Sequence, residues 1–370
     1  MTQRDAAIDG LSAAAYTVPT DAPEADGTLA WDSTTVVVVE TSGAGQRGLG
    51  WTYSSSAAAG VVNDLLAPVV TGLDVLDPPG ANERMTRAVR NVGRQGVAAA
   101  AISAVDIALW DLKARLLEVP LSRLLGRVRD NVPVYGSGGF TTYDDERLHR
   151  QLEHWIHDCG VPAVKIKIGE GWGSCVDRDL ARARSARDAI GNDRELFVDA
   201  NGGYRLGEAI RVGHHLDGLG VTWFEEPVSS DDLAGLRRVR DALQLDVTAG
   251  EYGWDMGYFR RMLEAGAVDC LQIDITRCGG VTDFLCAAAL AASYNIDVSA
   301  HCAPHLHASV AAAVPNLRHI EYFHDHIRIE EQLLFEGAAP ARDGVLHCRD
   351  DMNGLGMQLK TNDVARLRVA

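Results

Sequence analysis

Positive charge is scarce in this chain of 370 residues: 35 lysines and arginines stand against 51 aspartates and glutamates, a formal net charge of −16. A phosphate backbone binds to a basic face, so nucleic acid is excluded as a partner. The same imbalance repels anionic small molecules, which must be drawn in by local cations. No apolar run approaches the ~20 residues that cross a bilayer, and a membrane-spanning helix is excluded. The opening MTQRDAAIDG has no basic stretch followed by an apolar one, so a secretory leader is not expected. Cysteines number seven, with no CxxC spacing, and the odd count fits reduced thiols in a cytosolic protein. The turn Gly48-Leu49-Gly50 lies in a meander with no helix after it, which argues against a nicotinamide-binding fold.

What the chain does contain is a large core and a period. Hydrophobic residues make up 46% and charged residues 23%, ordinary for a globular protein. The length accommodates two domains, or one large barrel with an appendage. Residues 7–18, 34–41 and 46–53 read as an antiparallel meander with Gly-rich turns. Thr17 to Asp32 is rich in Pro, Asp, Glu, Gly and Thr and reads as a long functional loop. Helical patterns follow at 57–70, 81–93 and 97–117. Strands are predicted at 132–135, 163–168, 195–200, 221–225, 246–250, 270–274, 296–300 and 318–322, with helical patterns between most of them.

A charged residue closes seven of those strands: Lys165-Ile166-Lys167, Asp199, Glu225, Glu251, Asp274, His301 and Glu321. From Asp199 onward the steps are 26, 26, 23, 27 and 20 residues. One strand, one return helix and two loops need about that length. A barrel of parallel strands gathers its C-terminal strand ends around one mouth, so these groups converge. The domains expected are a capping segment at 1–128, a barrel at 129–340 and a final segment at 341–370 that packs back on the cap.

Lys165 and Lys167 share one face of their strand. An isolated KxK describes solvated lysines, but Val164, Ile166 and Ile168 describe a buried strand. Asp199, Glu225 and Glu251 are three carboxylates that repel one another unless a cation holds them. Oxygen-only ligands favour a hard ion such as Mg²⁺, one per subunit. Strand-end acids also cap helices, but three in phase favour the metal. In Glu225-Glu226-Pro227, alternation sends the two acids to opposite faces. Asp274 and His301 form a carboxylate–imidazole pair that fixes one tautomer. A histidine metal site from His301, His305 and His307 is the weaker alternative.

The order Lys-x-Lys, Asp, Glu, Glu, Asp, His, Glu resembles the enolase superfamily, in its mandelate racemase subgroup. The motifs AVKIKIG, FVDANGG, FEEP, AGE, QIDITRCGG and SAHCAPH carry the resemblance. It implies a modified TIM barrel, (β/α)7β, with an α+β N-terminal capping domain. It implies that Asp199, Glu225 and Glu251 bind Mg²⁺, which grips a substrate carboxylate. Lys167 would be a base on one face of the α-carbon, and His301, oriented by Asp274, the acid or base on the other. Lys165 would neutralise the carboxylate and lower the pKa of Lys167 by like-charge repulsion. Glu321 would offer a hydrogen bond as charge builds. Asn201, Tyr53 and Trp31 join Lys165 as substrate-binding residues, with Trp31, Trp51 and Tyr53 as aromatic walls beside Ser54, Ser55 and Ser56.

Position 274 is Asp where the muconate-cycloisomerase and dipeptide-epimerase branch carries Lys, which argues against those activities. The mostly polar lid favours an acid sugar over an aromatic acid such as mandelate. The expectation is an acid-sugar dehydratase acting on an aldonate or aldarate; a racemase, epimerase or lactone cycloisomerase is the alternative. A homo-oligomer is expected from the resemblance.

Overall fold

The computed structural model describes residues 6–370, so the first five residues of the expected capping segment lie outside it. Three antiparallel strands open the chain: β1 (Ile8–Ala25), β2 (Ala30–Gly43) and β3 (Gln46–Tyr53). Their alternate Ala and Val side chains, among them Ala15, Val37 and Val39, are buried. The longest helix of the cap, α1 (Val97–Leu116), is apolar on nearly all faces and lies across β3. Gly48 and Gly50 allow that closeness. A Cβ at Gly48 would lie 2.2 Å from the Ala108 carbonyl oxygen, and one at Gly50 2.3 Å from that of Ala104. The Gly-Leu-Gly turn is therefore a strand–helix packing device.

Thr17–Asp32 is not the loop that its composition suggests. β1 and β2 continue through it as a long hairpin, interrupted by an irregularity between Pro19 and Glu24. Proline has no N–H for the ladder, which places such a break there. The tip turns on Asp26, whose Oδ1 accepts the N–H groups of Thr28 at 2.6 Å and Leu29 at 2.7 Å. Barrel residues pin the arm: Thr141 Oγ1 donates to the Asp26 carbonyl at 2.9 Å, and Trp172 N–H to the Gly27 carbonyl at 2.9 Å.

The barrel has eight parallel strands: β4 (Asn131–Ser137), β5 (Ala163–Lys167), β6 (Glu195–Asp199), β7 (Val221–Glu225), β8 (Asp246–Ala249), β9 (Cys270–Ile273), β10 (Asp297–Ala300) and β11 (Leu317–Phe323). Pairing of β11 with β4 closes it. A helix follows each of the first seven strands, so the fold is the expected (β/α)7β barrel with an N-terminal α+β domain. Tyr135, Phe197, Trp223 and Cys270 fill the interior below the mouth. The final segment touches both bodies. Val345–His347 pairs antiparallel with β4, and Ala15 N–H donates to the Ala370 carbonyl at 2.8 Å on β1. No helix among the described residues is long and apolar enough to cross a membrane.

Candidate active site

Strand register builds the site. Lys167 pairs with Asp199, and Asp199 with Glu225, so the three side chains stand at one level around the mouth. Glu251 lies just beyond β8, after a glycine. Gly250 has φ +134°, and a Cβ there would lie 2.2 Å from the Gln272 carbonyl oxygen. Only glycine allows the turn that aims Glu251 inward.

Asp199, Glu225 and Glu251 are buried and offer oxygens within 4.8 Å of one another. Each faces a different cation. Lys167 donates to Asp199 Oδ2, Lys165 to Glu225 Oε1 at 2.5 Å, and Arg277 Nη1 to Glu251 Oε1 at 3.1 Å. Glu251 Oε2, although buried, accepts no hydrogen bond. Three enclosed carboxylates with an uncommitted oxygen and no nitrogen or sulfur donor fit a hard divalent cation such as Mg²⁺.

Burial, helped by the Asp199 charge, pushes the Glu225 carboxyl up to about 8. Burial also raises Asp199, but Lys167 and Lys165 outweigh it and hold that carboxyl below its usual range. The depression expected for Lys167 is not found. Burial and Lys165 do push its ammonium down, but the contact with Asp199 prevails and the net direction is up. Lys165 stands well above its usual range, because Glu225, Glu321 and Asp199 overcome its burial.

Glu321 accepts from Lys165 at 2.8 Å, from Ser137 Oγ at 2.6 Å and from Cys302 N–H at 3.2 Å. Burial raises its pKa, but Lys165 and His301 bring it well below the usual range. Arranged so, Glu321 accepts hydrogen bonds and anchors Lys165. Across the mouth, Asp274 Oδ1 takes the N–H and hydroxyl of Thr276, both at 2.7 Å. Its Oδ2 lies 2.8 Å from His301 Nδ1. His301 Nε2 then faces the triad, 3.2 Å from Glu251 Oε2. Burial opposes a charge on the ring, yet Glu251, Asp274 and Glu321 raise its pKa.

The remaining sequence candidates divide. Asn201 (φ +45°) donates its N–H to Asp199 Oδ1 at 2.8 Å, and its buried Oδ1 has no partner. Trp31 packs edge-on against Phe140, in a cluster that includes Cys302, the residue after His301. Tyr53 stacks on His326 and gives its hydroxyl to Glu330 Oε1 at 2.9 Å, so it offers a wall and no free hydroxyl. Trp51 is core: fully buried, stacked on Phe335 and bonded to Glu330. The histidine metal site does not form. His307 binds backbone at Cys302 and Ile275, and His305 faces Glu331. Glu226 leaves the strand at φ +39° and is buried near Glu251, so strand alternation does not send it to an outer face.

Sequence reasoning missed Arg277, Ser137 and Glu24. Arg277 lies three residues after Asp274 inside QIDITRCGG, which is the one signal that could have marked it.

Residues 147–364 match the family described as "Enolase C-terminal domain-like", and residues 14–126 match "Mandelate racemase / muconate lactonizing enzyme, N-terminal domain". The chain belongs to the enolase superfamily, in its mandelate racemase/muconate lactonizing enzyme family. It is similar to L-talarate/galactarate dehydratase of Salmonella typhimurium, 31% identical over 328 residues, covering 85% of this chain and 78% of that protein. That enzyme's crystal structure, liganded with Mg and L-lyxarohydroxamate, matches at TM-score 0.89 and 27% identity over 98% of this chain and 93% of that one. D-galactarolactone cycloisomerase of Agrobacterium fabrum is 38% identical over 218 residues, 58% of this chain and 56% of that protein. A mandelate racemase/muconate lactonizing enzyme-like protein from Rubrobacter xylanophilus matches at TM-score 0.94 and 46% identity, over 98% of this chain and all of that one. The two curated relatives are a dehydratase and a cycloisomerase, and this chain is an enzyme of the same superfamily.

Proposed function

We propose that the protein is a Mg²⁺-dependent acid-sugar dehydratase, acting on an aldonate or aldarate and giving a 2-keto acid. One observation carries the reading: the triad is flanked at both ends by a group able to move a proton. Lys167 contacts Asp199 at one end, and His301 Nε2 lies 3.2 Å from Glu251 at the other. A C–H beside a carboxylate is very weakly acidic, because its removal leaves a dianionic enediolate, and the site must supply positive charge in place beforehand. Held by Asp199, Glu225 and Glu251, a divalent cation supplies Lewis-acid stabilisation of the substrate carboxylate.

The chain's own residues do the rest. Lys165, anchored by Glu321, which Ser137 Oγ holds in turn, adds a fixed ammonium beside the carboxylate. Lys167 Nζ, acting in its neutral amine form, takes the α-proton. The electron pair then forms the Cα–Cβ double bond as the Cβ–O bond breaks, and His301 Nε2 delivers a proton to the departing hydroxyl. Water leaves, and the enol tautomerises to the 2-keto acid. Asp274 keeps Nδ1 protonated and Nε2 aimed inward. Asn201 Oδ1 and Trp31 supply contacts to the polyhydroxy chain.

Two bases at opposite ends serve racemisation, epimerisation or lactone isomerisation equally well, and the cycloisomerase relative keeps that reading open. Incubating the enzyme and Mg²⁺ with a panel of acid sugars, with 2-keto acid detection and polarimetry in parallel, separates the two. Keto acid from one or more members supports dehydration. Optical change without keto acid supports isomerisation.

A further inference from the structure

We propose that Arg277 is a positioning residue that ties the two halves of the site together, setting Glu251 for the cation and Asp274 for the base with one guanidinium. The inference rests on the reading of Asp199, Glu225 and Glu251 as a metal site. Asp199 and Glu225 end strands, and the ladder fixes their backbone. Glu251 does not: it follows the Gly250 turn, outside β8. Its side chain therefore needs another restraint, and Arg277 provides it.

The contacts show how. Nη1 of Arg277 lies 3.1 Å from Glu251 Oε1 and 3.4 Å from the Glu251 carbonyl oxygen, gripping the side chain and main chain of one residue. Nε lies 3.3 Å from Asp274 Oδ2, the same oxygen that holds His301 Nδ1. The guanidinium carbon stands 5.3 Å from the ring centre of Tyr252, which fixes its plane. Occupying Oε1 leaves Oε2 turned to the site, 3.2 Å from His301 Nε2 but accepting no hydrogen bond from it. Among the described residues, the other cationic group within 4 Å of the Glu251 carboxylate is His301. Without the guanidinium nothing restrains Oε1, and Glu251 can close the remaining 3.2 Å gap between Oε2 and His301 Nε2 into a full ion pair, which spoils a ligand and a base together. A lysine carries the charge but not the planar fork that spans two carboxylates.

Calorimetric titration of the intact protein with Mg²⁺ tests this without any substrate. Loss of a group that orients a metal ligand costs about 10–100-fold in affinity. Arg277→Gln and Arg277→Lys are both expected to bind Mg²⁺ in that weakened range. If Arg277 were only a counter-charge, Arg277→Gln would bind Mg²⁺ more tightly and Arg277→Lys would match the unmodified protein; that result overturns the proposal. A second readout separates positioning from general loosening. At Mg²⁺ concentrations that saturate each variant, and with each 2-epimer of a non-eliminating 2-hydroxy acid in D₂O, Arg277→Gln should lose exchange of the proton facing His301 and keep that facing Lys167. Equal loss on both faces contradicts the proposal. If Arg277→Gln fails to fold, Arg277→Lys carries both readouts. An unmodified protein that binds no Mg²⁺ would instead sink the metal-site reading.

Discussion

His301 Nδ1 lies 2.8 Å from Asp274 Oδ2, and Thr276 saturates the other carboxylate oxygen. The aspartate is thus fixed before the imidazole meets it, and the ring has one tautomer with Nε2 turned inward. Asp274→Asn offers an amide in place of that carboxylate and favours the wrong tautomer. Loss of a positioned acid or base costs about 10²–10⁴-fold in rate. A fall in kcat of that order, with KM little changed, is expected in steady-state assays on the substrate that the acid-sugar panel identifies.

Lys167 and His301 act on opposite sides of the substrate in this scheme. Lys167→Ala and His301→Asn are each expected to abolish overall dehydration. One-sided α-proton exchange should survive in one of the two, read by NMR in D₂O. Full dehydration by both variants would show that the acid and base are misassigned.

Glu24, on the hairpin arm, is fully enclosed, with Trp31 Nε1 donating to its Oε2 at 2.8 Å. Burial, reinforced by the charge of Asp325, pushes its carboxyl up to about 8. In the unfolded chain a glutamate titrates near ~4.3. The folded state therefore holds a proton that the unfolded state releases. The stability this contributes is fully present below about pH 4 and is lost as pH rises through about 8. Glu24→Gln stays neutral throughout. Thermal melts from pH 5 to 9 should show the unmodified protein losing stability relative to Glu24→Gln as pH rises. Parallel curves would exclude this role.

Much of the barrel and its charged rim was legible because both rest on short-range rules. Alternation on a strand put Lys165 and Lys167 on one face, and a βα period placed Asp199, Glu225 and the later groups at one mouth. Lysine usage sharpens that signal, since two of only four lysines in the chain are at the site. What escaped depends on backbone geometry that residue types do not encode. The arm at 17–32 pairs as strands although its composition is that of a loop. Glu226 turns out of the alternation at φ +39°. Trp51 sits one position from a lid residue in the numbering of its face, yet packs into the core on Phe335. Arg277 meets Glu251 across 26 residues through the loop that follows β9, a contact with no periodic signature. The charged states of Lys167 and Glu321 follow from their partners at the mouth, which pairwise reasoning along the sequence did not supply.

Metal-dependent removal of an α-proton is the claim on which the rest depends. The direct measurement is NMR of substrate α-proton exchange in D₂O, on a substrate from the acid-sugar panel, after EDTA treatment and again after Mg²⁺ is restored. The account predicts no exchange or keto acid from the stripped enzyme, recovery of both with Mg²⁺, and no recovery in Glu225→Gln. Exchange at an undiminished rate in the stripped enzyme, or none in the enzyme with Mg²⁺ restored, would contradict it.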